Sequence, residues 1–189
     1  MNSNMTSTGY LELFIGPMFS GKTSKLIEIY KQCTFCNIPV LVINHSMDTR
    51  YHEELLSSHD KQMIPCVMNN ELLKLLEDPI VMQKIMESHS ILINEGQWFP
   101  DLCEFTKLML NRNKMVYIAG LDGDFKREKF GSILDLIPLC DKITKLTSLC
   151  SSCKNGTPGI FSKRLSDDTE QTVVGSDNYI PVCRKCYEN

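Results

Sequence analysis

The sequence predicts an α/β protein, a mostly parallel sheet flanked by helices, with a small metal-stapled unit after it. Three observations carry this expectation. Short apolar, β-branched runs alternate with segments of helical period. A glycine-rich stretch, Gly16-Pro-Met-Phe-Ser-Gly-Lys-Thr23, separates the first such run from the first helical segment. Two Cys-x2-Cys pairs bracket a polar C-terminal stretch. At 189 residues and 42% apolar content the chain can form one packed domain with an appendage.

The elements follow in order. Leu11 to Ile15 reads as a short buried strand closed by Gly16-Pro17. From Thr23 the period turns helical, with Leu26, Ile27, Tyr30 and Cys33 on one apolar face. Pro39 to Ile43 is apolar on both faces, as a buried parallel strand requires. Ile64 to Met68 suggests a weaker third strand. Glu71 to Ser88 is helical in period and broken by Pro79. Ser90 to Ile93 is a further buried strand. Pro100 to Asn113 reads as a helix with Asp101 in its first turn, and Met115 to Ala119 as a strand. Beyond about residue 141 the composition turns polar. The expected boundaries are therefore 1–141 for the sheet domain and 142–189 for the stapled unit.

Composition excludes several classes. The formal net charge is −3, so the chain is neither a polybasic coat nor an acidic tail. No apolar run approaches the ~18 residues of a membrane helix. Met1 to Tyr10 has neither a basic nor an apolar signal region, which predicts a cytoplasmic protein. Nine cysteines is an odd number, and nothing implies an oxidising compartment, so a disulfide framework is not expected. Cys33 and Cys36 sit at the wrong end of their helix for activated thiols.

Residues 16–23 fit G-x4-G-K-[ST], and the motif has a mechanism. Glycines let the backbone curl so that successive N–H groups face phosphate oxygens. Lys22 brings a point charge to them. The Thr23 hydroxyl is a Mg²⁺ ligand, and the following helix aims its positive end at the anion. A strand before and a helix after are the context this P-loop NTPase-type reading needs; the plainer alternative is a chance turn. Such a loop needs a polar partner at a neighbouring strand end. Asn94-Glu95, after Ser90 to Ile93, is the candidate, and Glu95 is placed to accept a hydroxyl proton. Glu95 could equally begin a surface loop.

Cys150, Cys153, Cys183 and Cys186 supply four thiolates, the common closed Zn²⁺ set, so the ion would be structural. The alternative is four unligated thiols. A nucleic-acid-binding ribbon is poorly supported. Lys154, Lys163, Arg164, Arg184 and Lys185 are matched by Asp167, Asp168, Glu170, Asp177 and Glu188, leaving no basic stripe.

Residues 16–23, then Asn94-Glu-Gly-Gln-Trp-Phe-Pro-Asp101, Leu121-Asp-Gly-Asp-Phe125, Phe161-Ser-Lys-Arg-Leu165 and Val182-Cys-Arg-Lys-Cys-Tyr187 stand in this order. Together they resemble the type II thymidine kinases, cellular and large-DNA-virus, closest to the poxvirus-like forms. The resemblance runs from about residue 10 to 187 and implies a P-loop domain with a zinc-held lasso. It implies transfer of the ATP γ-phosphoryl group to the 5′-hydroxyl of thymidine, with deoxyuridine a further acceptor. In that reading Glu95 is the general base, with Lys22 and Arg50 also catalytic. Gly16, Pro17, Met18, Phe19, Ser20, Gly21, Lys22 and Thr23 form the ATP loop. Asp48, Thr49, Arg50, Asn94, Glu95, Gly96 and Gln97 complete the phosphate and Mg²⁺ side. Met18, Leu121 and Phe125 line the base pocket, and Gln171, Thr172, Val173, Val174, Gly175 and Tyr179 grip the base through the lasso. By pattern alone, Thr172 to Val174 reads as a short edge strand.

The resemblance also implies a homotetramer, or a dimer, with nucleoside and ATP as its small-molecule partners and no nucleic acid or membrane. Three features depart from the family pattern. Asn94 stands where the family usually has Asp, Trp98 where it has Phe, and the stretch at Val174 to Asp177 is one residue shorter. Two other readings compete. One is a P-loop regulatory ATPase, which leaves the lasso unexplained. The other is a zinc-ribbon module of weakened catalysis, for which Asn94 speaks.

Overall fold

The computed structural model describes residues 8–48, 55–57, 62–173 and 175–189. Thr49, Arg50 and Val174 lie outside them. The chain opens with β1 (Tyr10–Ile15), the loop at 16–21, α1 (Lys22–Phe35) and β2 (Val40–His45). The expected single strand at 64–68 is two strands. β4 (Met63–Pro65) pairs antiparallel with β3 (Leu55–Ser57), while β5 (Val67–Asn69) joins β2 in the main sheet. Cys66 is the crossing point between the two pairings.

The segment 71–88 is divided as Pro79 predicts. A 3₁₀ turn covers Leu73–Leu76, and α2 (Pro79–Glu87) starts with Pro79 in its first turn. Asp78 caps α2 by accepting from the N–H groups of Ile80 and Val81. Then come β6 (Ser90–Ile93), α3 (Leu102–Leu110) and β7 (Met115–Gly120). α3 is shorter than its sequence period suggested. Asp101 does not cap it; its carboxylate instead accepts from Leu72 and Leu73 N–H at 3.0 and 2.7 Å.

After a 3₁₀ stretch at Ile133–Leu139, β8 (Lys142–Lys145) pairs with β1. The main sheet therefore runs past the expected boundary at 141. Its order is β5-β2-β6-β7-β1-β8, and each neighbouring pair is parallel.

The alternation of side chains explains why both faces must be covered. Leu11, Leu13, Ile15, Leu41, Ile43, Ile91, Ile93, Val116 and Ile118 face one way and pack with Phe99, Phe105, Met109 and Ile85. Phe14, Val42, Leu92 and Ala119 face the other way and pack against Leu26 and Ile27 of α1.

From β1 the chain crosses to β2 on one side, whereas from β7 it passes β1 to reach β8 on the other. Such a reversal opens a crevice at the carboxyl ends of the strands. The loop 16–21, Asn94 and Glu95 all emerge there.

The remainder forms a separate small layer. β9 (Ser148–Leu149) pairs with β10 (Pro158–Gly159), β11 (Phe161–Arg164) pairs with β12 (Tyr179–Val182), and α4 (Arg184–Glu188) ends the chain. Its buried cluster is Cys150, Val182 and Cys183. Thr172 and Val173 lie in no strand, so the edge-strand expectation fails there.

Candidate active site

The loop between β1 and α1 is shaped by close backbone approach. A Cβ at Gly16 would stand 2.3 Å from the Leu146 carbonyl oxygen, and Gly21 has φ +83°. Gly21 offers no side chain to cap α1, so no side chain competes with an anion for the start of this 14-residue helix. Lys22 is buried and folds back so that Nζ donates to the Pro17 carbonyl at 2.7 Å. The Ser20 hydroxyl is buried without a partner. A buried orphan hydroxyl in a ring of backbone amides fits a phosphate oxygen.

Beside the loop runs a buried polar relay. Thr23 Oγ1 donates to Asn94 Oδ1 at 3.2 Å, Asn94 Nδ2 to Asn44 Oδ1 at 2.9 Å, and Asn44 Nδ2 to Asp48 Oδ2 at 3.1 Å. Glu95 follows in a left-handed backbone conformation, φ 53°, which costs a non-glycine residue of order 1 kcal/mol and turns its side chain out of the strand direction. Gln97 holds it. Gln97 Nε2 donates to Glu95 Oε2 at 2.6 Å, and its Oε1 accepts from Leu121 N–H at 2.9 Å.

A cavity joins these groups to an apolar wall. Its polar lining includes Lys22, Thr23, Asp48 and Glu95, and its apolar lining Met18, Trp98, Leu121, Phe125, Phe130 and Tyr179. Gln171, Thr172, Val173 and Gly175 of the C-terminal layer also line it. Two contacts tie the C-terminal layer to the body. Met18 N–H donates to Ser162 Oγ at 2.9 Å, and Gln171 Nε2 donates to Asp124 Oδ2 at 2.8 Å. Asp124 in turn accepts from the N–H groups of Lys126 and Glu128 and so shapes its own loop.

The sulfurs of Cys150, Cys153, Cys183 and Cys186 lie within 4.8 Å of one another, with Cys153 Sγ 3.7 Å from Cys183 Sγ and 3.3 Å from Cys186 Sγ. A tetrahedral cation with ~2.3 Å metal–sulfur bonds wants sulfurs about 3.8 Å apart, so the set fits. The thiols already differ. The Cys153 N–H chiefly pulls Cys150 down to about 6. The hydrogen bond with Cys186 chiefly pushes Cys153 up to about 12. The four sulfurs thus interact closely with one another, and a cation bound among them would require all to be deprotonated.

A family model described as thymidine kinase matches residues 9–187. The chain belongs to the thymidine kinase family. It is 42% identical to Thymidine kinase 1 of Dictyostelium discoideum over 190 aligned positions, covering 96% of this chain and 78% of that one. It is 41% identical to the thymidine kinase of Vaccinia virus (strain Ankara), covering 95% of this chain and 97% of that one. The thymidine kinase of Yaba monkey tumor virus is 39% identical, with 99% and 97% covered.

As a thymidine kinase family member, the chain brings most of its expected site residues to one cavity. Met18, Phe19, Ser20, Gly21, Lys22, Thr23, Asp48, Glu95, Leu121, Phe125, Gln171, Thr172, Val173, Gly175 and Tyr179 all line it. Asn94 sits behind Thr23 in the relay. Gly96 and Gln97 are buried behind Glu95, and Gly16 and Pro17 are absent from this wall. Phe130, Asp124, Ser162 and Met47 line the cavity and were not singled out by sequence. Asp124 and Ser162 lay inside motifs quoted for the family, and their inward placement on a loop and on β11 was the missing signal.

Proposed function

We propose that this thymidine kinase family member transfers the γ-phosphoryl group of ATP to the 5′-hydroxyl of thymidine, accepting deoxyuridine as well. One observation carries the reading: Glu95 shares a single cavity with Lys22 and Thr23 and with an aromatic, apolar lining, next to the Asn94 that meets Thr23 and held by the Gln97 that meets Leu121. Groups for a phosphate and a lining for a base, with a carboxylate in the same cavity, match a nucleoside acceptor.

Glu95, oriented by Gln97, accepts the proton of the 5′-hydroxyl as that oxygen attacks phosphorus. Lys22 leaves the Pro17 carbonyl to meet the phosphates, and the start of α1 faces the charge that develops there. Arg50 adds a cation to the transferred group. Mg²⁺, when bound, neutralises the β- and γ-oxygens. Thr23 would hold it, with the Asn94–Asn44–Asp48 relay behind. Phe125, Leu121 and Met18 receive the base, and backbone groups of 171–175 hold its polar edge. The four cysteines hold Zn²⁺ as a closed structural site that fixes the base of the lasso.

The neutral charge of residues 150–189 speaks against nucleic acid as a partner. The family resemblance supports assembly as a homotetramer, or a dimer, and the absence of a signal-like stretch in Met1 to Tyr10 supports a cytoplasmic location; light scattering on the purified protein tests the first.

The deciding assay supplies Mg²⁺-ATP with thymidine, deoxyuridine, deoxycytidine, deoxyadenosine and deoxyguanosine, wild type beside Glu95→Gln. The expected result is thymidine monophosphate from the wild type and a kcat lower by about 10²–10⁴ in the variant. ATP binding without phosphorylation of any nucleoside would overturn the reading.

A further inference from the structure

Arg164 is buried, at 8% exposure, yet among the described residues no carboxylate pairs with it. Its charge is met in another way. Nη1 donates to the carbonyl oxygens of Asp168, at 2.9 Å, and of Glu170. Nη2 donates to the Gln171 carbonyl at 3.0 Å and to Tyr179 Oη at 2.5 Å. Nε also donates to Tyr179 Oη, at 3.2 Å. Each of the five guanidinium N–H groups therefore has an acceptor. The guanidinium plane then stacks on the Phe125 ring, with its carbon 3.6 Å from the ring centroid.

We propose that Arg164 is the positioning residue that holds the lasso shut over the nucleoside end of the cavity. The idea rests on the kinase reading above. Its basis is what the side chain joins. Phe125, Gln171 and Tyr179 all line the cavity, and they come from three separate stretches of chain. One guanidinium fixes the ring of the first, the backbone of the second and the hydroxyl of the third.

The strand carrying Arg164 explains how it gets there. On β11, Ser162 and Arg164 point inward while Phe161 and Lys163 are half-exposed. Ser162 reaches Met18 and Arg164 reaches the lasso, so β11 sews the cover down on two sides. The segment itself has few apolar side chains with which to order its backbone. Three carbonyls bound by a rigid fork supply that order before a nucleoside arrives. A lysine cannot replace the fork, because an ammonium has three donors on one atom and no face to stack.

The test is Arg164→Lys, read in two ways. In steady-state kinetics, KM for thymidine should rise about tenfold or more, while kcat and KM for ATP stay within about twofold. Without nucleoside, a glutamyl endopeptidase should cut the bond after Glu170 about tenfold faster than in wild type, measured by mass spectrometry, because both flanking carbonyls lose their tether. Thymidine should slow the cut in both proteins. A folded variant with unchanged thymidine KM and unchanged cleavage overturns the proposal, and so does a KM for ATP that rises in parallel. Should the lysine variant fail to fold, Tyr179→Phe removes the shared hydroxyl and keeps the ring; the cut should again quicken, by a smaller factor. If the wild type phosphorylates no nucleoside, the kinase reading fails, and the cleavage rates alone decide the role of Arg164.

Discussion

The amide at 94, where the family usually carries an acid, has its orientation fixed from a distance. Asp48 only accepts, so Asn44 must turn its NH₂ group toward it, leaving Asn44 Oδ1 facing position 94. Asn94 must then donate there, and its own oxygen is left for Thr23. Asn94→Asp sets a second acceptor against Asn44 Oδ1. The expected outcome is a stability loss of about 1–3 kcal/mol in urea unfolding together with a lower half-saturating Mg²⁺ in the kinase assay. An unchanged Mg²⁺ dependence would mean that Asp48, two bonds away, already supplies the charge.

His45 nearby makes a pH prediction. It is buried against Trp98 and Phe99, and its Nδ1 accepts from Met47 N–H. Burial holds its pKa below the ordinary histidine value, against the opposing pull of a hydrogen bond with the Asn70 backbone and then of Glu95 and Asp48. The neutral form is the one that folds. Its contribution is fully present above about pH 6.5 and is lost as pH falls from there toward the lower folded value. Wild type should therefore lose stability over that interval more steeply than His45→Gln, by urea midpoints at a series of pH values.

Among the elements, those buried on both faces were the legible ones. Val40 to Ile43 and Ile91 to Ile93 are continuous apolar runs because helices cover both sides of the sheet, and Leu11 to Ile15 departs from this only at Glu12. The run at 64–68 shows the limit. Its residues serve two pairings, and no local pattern says that β5 belongs beside β2 while β4 turns to β3. Asp101 misled in the same way. It was expected in the first turn of α3, where an acid meets the helix dipole, but its partners are 28 and 29 residues earlier in the chain. Asp101→Ala should cost about 1–3 kcal/mol by leaving those two N–H groups unpaired, without moving either KM. The cavity lining on loops 16–23 and 121–125 was legible by motif. Arg164 was not, because its acceptors are backbone oxygens that only the folded lasso assembles.

Across the whole molecule the two layers are held together by different physics. The main sheet has more than twenty buried apolar side chains on its two faces and needs no metal. The C-terminal layer buries only Cys150, Val182 and Cys183 in its cluster, and two of these three are candidate ligands. A layer so poor in apolar surface gains little from burial against its own chain entropy, so on the zinc reading proposed above metal–sulfur bonds would supply most of its order. That layer also carries the pocket wall. Tyr187, directly after Cys186, donates to the Phe125 carbonyl at 2.5 Å and stacks edge-on against Phe161. Removing the ion should therefore act at one end of the cavity only. The purified chain is expected to hold one zinc, by elemental analysis. Stripping it with a chelator should raise hydrogen exchange across 148–189 while the strands of the main sheet stay protected. Nucleotide binding at residues 16–23 should survive, and thymidine binding should be lost. Loss of protection throughout the main sheet on chelation would show instead that the two layers fold as one unit, with the staple supporting the phosphate loop as well as the lasso.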